Sequence, residues 1–290
     1  MTGAGVRGGW SGELETLAVP VSHGLVLRGD GRGDPEGRIV VLLHGGGQTR
    51  HAWTETAEAL AGAGFRALAF DLRGHGESDW DPEGRYDFPH YADDTEQLLQ
   101  SLPRPAVLVG ASLGGIASLV AAGLGPQACC AGLVLVDVAP HIEPQGAERV
   151  LRFMGARPDG FATLEEVAEA VAAYNPHRRR PPDLRNLEKN LRRRADGRYV
   201  WHWDPRFLEV DRSDRGRSEM MEQAARSLRA PTLLVRGRQS DLLSEEGAQR
   251  FLALVPHAQF RDVSGAGHMV AGDRNDAFTD AVLQFLAAID

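Results

Sequence analysis

Short runs rich in Val, Leu and Ile, each ending in Gly, Asp or Ser and each followed by helical periodicity, recur along this chain. They are Arg38 to Leu43, Arg66 to Leu72, Ala106 to Gly110, Gly132 to Val138, Pro231 to Gly237 and Gln259 to Val263. A run that is apolar throughout, rather than at every second position, suits a strand buried on both faces, and such strands are the parallel ones covered by helices on either side. Amphipathic stretches fill the gaps, around Ala52 to Ala61, Tyr91 to Leu102, Ser112 to Ala122, Glu245 to Leu254 and Asn275 to Ile289. The alternation predicts an α/β fold, a mostly parallel sheet flanked by helices. Ahead of it, Glu13 to Val19 and Gly24 to Arg28 are expected to pair antiparallel at the sheet's edge.

The alternation breaks once. About 90 residues separate two strands between Pro140 and Ala230, where 20 to 30 is the rule elsewhere in the chain, and a loop of that length with no structure of its own is improbable. Thr163 and Glu166 have capping-box spacing ahead of Val167, Ala170 and Val171, and Leu184, Leu187 and Leu191 fall on one helical face. The expected organisation is a core of residues 1–139 and 231–290 carrying an inserted helical lid, 140–230. From His141 to Arg229 the insertion holds 18 Arg and Lys against 15 Asp and Glu, on a chain whose net charge is −8. The triplets Arg178 to Arg180 and Arg192 to Arg194 dominate that excess. They read as solvated faces paired with nearby carboxylates, the alternative being a docking surface for an anionic ligand.

Chemistry concentrates where strands end. Gly110-Ala111-Ser112-Leu113-Gly114-Gly115 is a G-x-S-x-G pattern set between an apolar run and a helical one. A sharp strand-to-helix turn strains the serine and needs small neighbours, while the helix it opens aims N–H groups and a positive dipole end at the same point. A serine hydroxyl is nearly inert at neutral pH and needs an imidazole base. His268, in Ser264-Gly265-Ala266-Gly267-His268 after the last strand, falls on the same carboxyl edge of the sheet. His44 is expected to brace the glycine loop it begins. The acid that holds His268 should come from another strand end: Asp241, after Arg236 and Gly237, is the expected residue, Asp137 its rival, and Asp71 a structural turn residue. The oxyanion of a tetrahedral intermediate needs two N–H donors, which position assigns to Leu113 and, in Leu43-His44-Gly45-Gly46-Gly47, to Gly46.

Together, Leu43 to Gly47, Asp71-Leu72-Arg73-Gly74-His75-Gly76-Glu77-Ser78, Gly110 to Gly115, Asp241 and His268 resemble the α/β-hydrolase superfamily, from about residue 38 to the end. Within it the chain is similar to the lidded serine esterase and lactonase branch, related to cofactor-free haloperoxidases and epoxide-hydrolase-like proteins. Epoxide hydrolases and haloalkane dehalogenases of that branch attack with a carboxylate, whereas position 112 is serine. The resemblance implies the α/β-hydrolase fold and hydrolysis of a small or medium ester or lactone through an acyl-enzyme, with catalytic Ser112, Asp241 and His268, oxyanion donors Gly46 and Leu113, and no cofactor. Its alternatives are a carbon–carbon bond hydrolase of vinylogous diketones and a slow-turnover ligand receptor.

Composition trims the rest. The excess of 40 acidic over 32 basic residues argues against a nucleic-acid partner, and no run of about 18 apolar residues offers a membrane span. Two adjacent cysteines, Cys129 and Cys130, make no disulfide framework, so the expected setting is cytoplasmic and the expected partner a small-molecule substrate. The spacings H-E-x-x-H and C-x-x-C of familiar metal sites are missing from the sequence.

Overall fold

The computed structural model describes residues 14–175, 183–210 and 214–289. In chain order the elements are β1 (Glu15–Pro20), β2 (Val26–Arg32), β3 (Ile39–Leu43), α1 (Thr54–Gly62), β4 (Arg66–Phe70), α2 (Phe88–Ser101), β5 (Ala106–Ala111), α3 (Leu113–Leu124), β6 (Cys130–Val136), α4 (Pro144–Gly155), α5 (Leu164–Tyr174), β7 (Leu191–Arg193), β8 (Tyr199–Trp201), α6 (Asp214–Ser227), β9 (Thr232–Gly237), α7 (Glu245–Leu254), β10 (Gln259–Val263), α8 (Val270–Asp273) and α9 (Asn275–Ala288). Eight strands form one sheet in the order β1-β2-β4-β3-β5-β6-β9-β10. Strands β1 and β2 pair antiparallel at one edge, and all pairs from β4 to β10 are parallel. This is the α/β-hydrolase fold expected from the sequence.

Burial follows the logic that made the strands legible. Strands β3, β4 and β9 are buried at every residue, and β5 and β6 at all but one, while the edge strands β1 and β10 alternate. Successive residues of a central strand feed opposite layers: Val41 and Leu43 join Leu98, Leu119 and Phe251 on one face, whereas Val40 and Leu42 join Trp53, Phe278 and Phe285 on the other. After β3 the chain crosses to β4 on one side, then returns to place β5 on the other. The carboxyl ends of β3 and β5 therefore flank the switch point, where open parallel sheets leave a crevice for ligands.

The insertion between β6 and β9 is less uniformly helical than its sequence suggests. Thr163 caps α5 as expected, its hydroxyl accepting from Glu166 N–H, but Glu166 returns its carboxylate to Ala162 N–H rather than to the cap itself. Leu184 and Leu187 lie in a run of 3-10 turns, Leu184–Asn190, and Leu191 opens the hairpin β7–β8. Phe161, Val167 and Leu191 make a small core of their own. Helix α6, inside the range assigned to the lid, packs on α3 instead, so closely that a Cβ on Gly123 would lie 2.2 Å from Ala224 O, and it belongs to the layer flanking the sheet. Arg192 and Arg193 stack on the rings of Trp80 and Tyr199, and Arg194 pairs with Asp196; Arg178 to Arg180 lie outside the described residues. Among the described residues no helix is long and apolar enough to cross a membrane.

Candidate active site

Three strand ends and one loop converge at the carboxyl rim. Ser112 sits between β5 and α3 with φ 46° and ψ −111°, a left-handed backbone that a side-chain-bearing residue holds only when its surroundings enforce it. Two neighbours do so. Ser112 N–H donates to Val136 O, carrying the β5–β6 ladder one residue further, and Gly114 N–H donates to His44 O, tying the start of α3 to the loop after β3. The glycines around the serine are required by contact: a Cβ on Gly114 would lie 2.4 Å from Leu43 O, and one on Gly110 would lie 2.4 Å from Gly114 O.

The loop Gly45 to Gly47 lies against this turn, Gly45 being so close that its Cβ would touch that of Ser112 at 3.4 Å. Two of its three N–H groups are engaged, Gly45 with Gln48 Oε1 at 2.9 Å and Gly47 with His75 Nε2 at 3.1 Å. Gly46 N–H has no partner among the described residues, nor does that of Leu113, which as the first residue of α3 has no carbonyl one turn back to bond. These are the two groups expected to receive an oxyanion. Buried Phe207 and Met154 of the insertion press on the loop, reaching within 3.3 Å and 3.1 Å of where Gly46 and Gly47 would carry a Cβ.

His44 braces the loop as expected. Fully buried, it donates through Nδ1 to Gly45 O (2.8 Å) and accepts Leu72 N–H at Nε2 (3.0 Å), which fixes the neutral tautomer. Burial pushes its pKa down to about 4. The unfolded chain takes up a proton near the ordinary value of 6.5 that the folded chain refuses, so stability is constant above that pH and falls as pH drops from about 6.5 toward 4, by about 3 kcal/mol in total. Urea midpoints should follow that slope and a His44→Gln variant should lose this part of it; an equal slope in both proteins contradicts the assignment. His75 is likewise wholly buried, bonded to Gly47 N–H and within 3.0 Å of Arg73 O. Asp71 is structural, holding Arg50 and the Glu77 N–H. His141 pairs with Glu222, and His51 and His202 line a cavity of about 190 Å³ with Arg50, Glu77 and Lys189; His177 lies outside the described residues.

The acid is where the structure corrects the sequence reading. His268 Nδ1 donates to Asp137 Oδ2 at 2.7 Å, not to Asp241. Asp137 is fully buried and follows β6 with φ 52°, its N–H continuing the β6–β9 ladder to Val235 O, and this left-handed turn brings its carboxylate back over the end of β9 to accept Gly237 N–H. Asp241 lies beyond the turn closed by Ser240 N–H and Gly237 O, and its half-exposed carboxylate pairs with Arg149 of α4 at 2.7 Å. Both aspartates follow strands at the same rim, so chain order could not separate them. The sheet order separates them: β6 lies between β5 and β9, the strands that lead to Ser112 and Gly237, and Asp137 directly follows it.

His268 itself is held from below. Gly267 N–H donates to Asp273, Gln239 N–H to Ala266 O, and Gly237 packs so tightly on the loop that a Cβ there would lie 2.0 Å from Gly267 O. With Nδ1 committed to Asp137, Nε2 keeps its lone pair. Among the described residues no hydrogen bond joins it to Ser112 Oγ.

The profile of the alpha/beta hydrolase fold family matches residues 38–274. Esterase Rv0045c of Mycobacterium tuberculosis is 31% identical over 254 residues, 84% of this chain and 80% of its own. A 3-hydroxybutyrate-oligomer hydrolase of Cupriavidus necator is 30% identical over 253 residues, 81% of this chain and 84% of its own. Among solved structures, E-2-(acetamidomethylene)succinate hydrolase superposes with a TM-score of 0.84 at 26% identity, covering 95% of this chain and all of that one. With the sheet order and the serine turn already in place, these similarities settle the classification: the chain belongs to the alpha/beta hydrolase fold family and is an enzyme of the hydrolase type.

Proposed function

We propose that the chain is a serine hydrolase that cleaves a carboxylic ester or lactone of small or medium size. Ser112 Oγ attacks the acyl carbon while His268 Nε2 takes the hydroxyl proton, and Asp137 stabilises the imidazolium that results. The carbonyl oxygen, now negative, is received by Gly46 and Leu113 N–H; one such donor is typically worth about 2.7–4 kcal/mol of barrier. His268 then returns its proton to the departing alcohol oxygen. Water, deprotonated by the same imidazole, attacks the acyl-enzyme, and the acid leaves as Ser112 regains its proton. The insertion acts as the lid, with α4 and Phe207 closing the glycine loop from solvent.

The observation that carries this reading is the pair of N–H groups, on Gly46 and Leu113, that stay unclaimed beside a strained serine while their neighbours are bonded. The names of two relatives, an esterase and a hydrolase of 3-hydroxybutyrate oligomers, support an ester substrate. A fluorophosphonate probe followed by peptide mapping tests it: the label is expected on Ser112, together with turnover of p-nitrophenyl esters of short acids. A label on another residue, or none, overturns the assignment of the nucleophile.

A further inference from the structure

The loop after β9, where the acid was expected, contributes to the triad in another way. Ser240 Oγ accepts two backbone N–H groups, from Leu242 at 3.1 Å and Leu243 at 3.2 Å, which occupies both lone pairs of the hydroxyl. Its proton then has one direction left, toward Asp137 Oδ2 at 2.5 Å, and that is the same oxygen that receives His268 Nδ1–H. Gly237 N–H, from the last residue of β9, occupies Oδ1. Apart from His268, the carboxylate that follows β6 is thus held by the end of β9 and the loop after it, with a donor whose orientation the backbone fixes.

We propose that Ser240 is a positioning residue of the triad, one that sets the basicity of the Asp137–His268 pair as well as its geometry. The inference rests on the triad assigned above. A hydroxyl donating to a carboxylate draws charge away from the side that faces the imidazole, so the imidazolium is stabilised less than it would be by the bare carboxylate. Removing the hydroxyl returns that charge to His268. The protonated, catalytically idle form then persists to higher pH, and the carboxylate loses one of the bonds that aim it.

In Ser240→Ala the acid limb of kcat/KM against pH is expected to move up by about one unit, with turnover of a p-nitrophenyl ester at pH 6 down about tenfold. Ser240→Thr, which keeps the hydroxyl, is expected to restore both. A purely structural role would lower the urea midpoint of the alanine variant through the two stranded N–H groups but leave the acid limb in place, and that result overturns the proposal. Fluorophosphonate labelling of the same proteins separates the two levels. Ser112 labelled in wild type and variant with an unmoved limb removes Ser240 alone, whereas no label on Ser112 in the wild type removes the triad and Ser240 with it.

Discussion

Asp137→Asn is expected to lower kcat by about 10³–10⁴-fold, while Asp241→Asn stays within about threefold of wild type. The first substitution keeps the shape of the site and removes the charge. Ser240 Oγ–H and His268 Nδ1–H share Oδ2, so an asparagine oxygen placed there sets the amide, a donor, against Gly237 N–H, and the flipped orientation turns the amide toward Ser240 and His268. A donor facing Nδ1 favours the tautomer with its proton on Nε2, which cannot accept from Ser112. The second substitution breaks an ion pair with Arg149 whose side chains are 42% and 46% exposed, an interaction worth about 0–1 kcal/mol and remote from His268 Nδ1. Steady-state kinetics on folded variants decide the matter, and equal losses at both positions would contradict the geometry.

The sheet was legible because its central strands are apolar at consecutive positions, a pattern that burial on both faces favours; Gly46, Ser112 and Leu113 follow two such strands, whereas His268 follows the edge strand β10, whose pattern is mixed. Asp137 and Asp241 also follow central strands, and the choice between them depends on a single backbone torsion, φ 52° at Asp137, which local sequence does not encode. The insertion was misread for a related reason. Leu184, Leu187 and Leu191 keep helical spacing, yet short segments take their form from what they pack on, and Leu191 is drawn into a hairpin with Trp201 against Phe161. Arg73 carried no signal at all beyond its place in a loop; it is fully buried and held by both oxygens of Asp94 at 2.6 Å, an arrangement that joins α2 to the loop after β4.

Ser112→Gly and Ser112→Ala should both abolish ester cleavage, with losses of about 10⁴–10⁶ in kcat, but they should differ in stability. Alanine keeps the Cβ, and with it the steric cost of φ 46°, ψ −111°; glycine has no such cost there, and backbone strain of this kind amounts to about 1–3 kcal/mol. The greater freedom of glycine in the unfolded chain takes back about 0.4–1 kcal/mol. The glycine variant is therefore expected to unfold at higher urea than the alanine variant, by roughly 1 kcal/mol at neutral pH. The order matters more than the size. If alanine proves the more stable of the two, the turn at Ser112 is not strained and the serine is held there by something other than the fit of β5, α3 and the glycine loop. If it proves the less stable, the chain keeps a conformation at position 112 that costs folding free energy, and the exposure of a reactive hydroxyl beside Gly46 and Leu113 is the return for it.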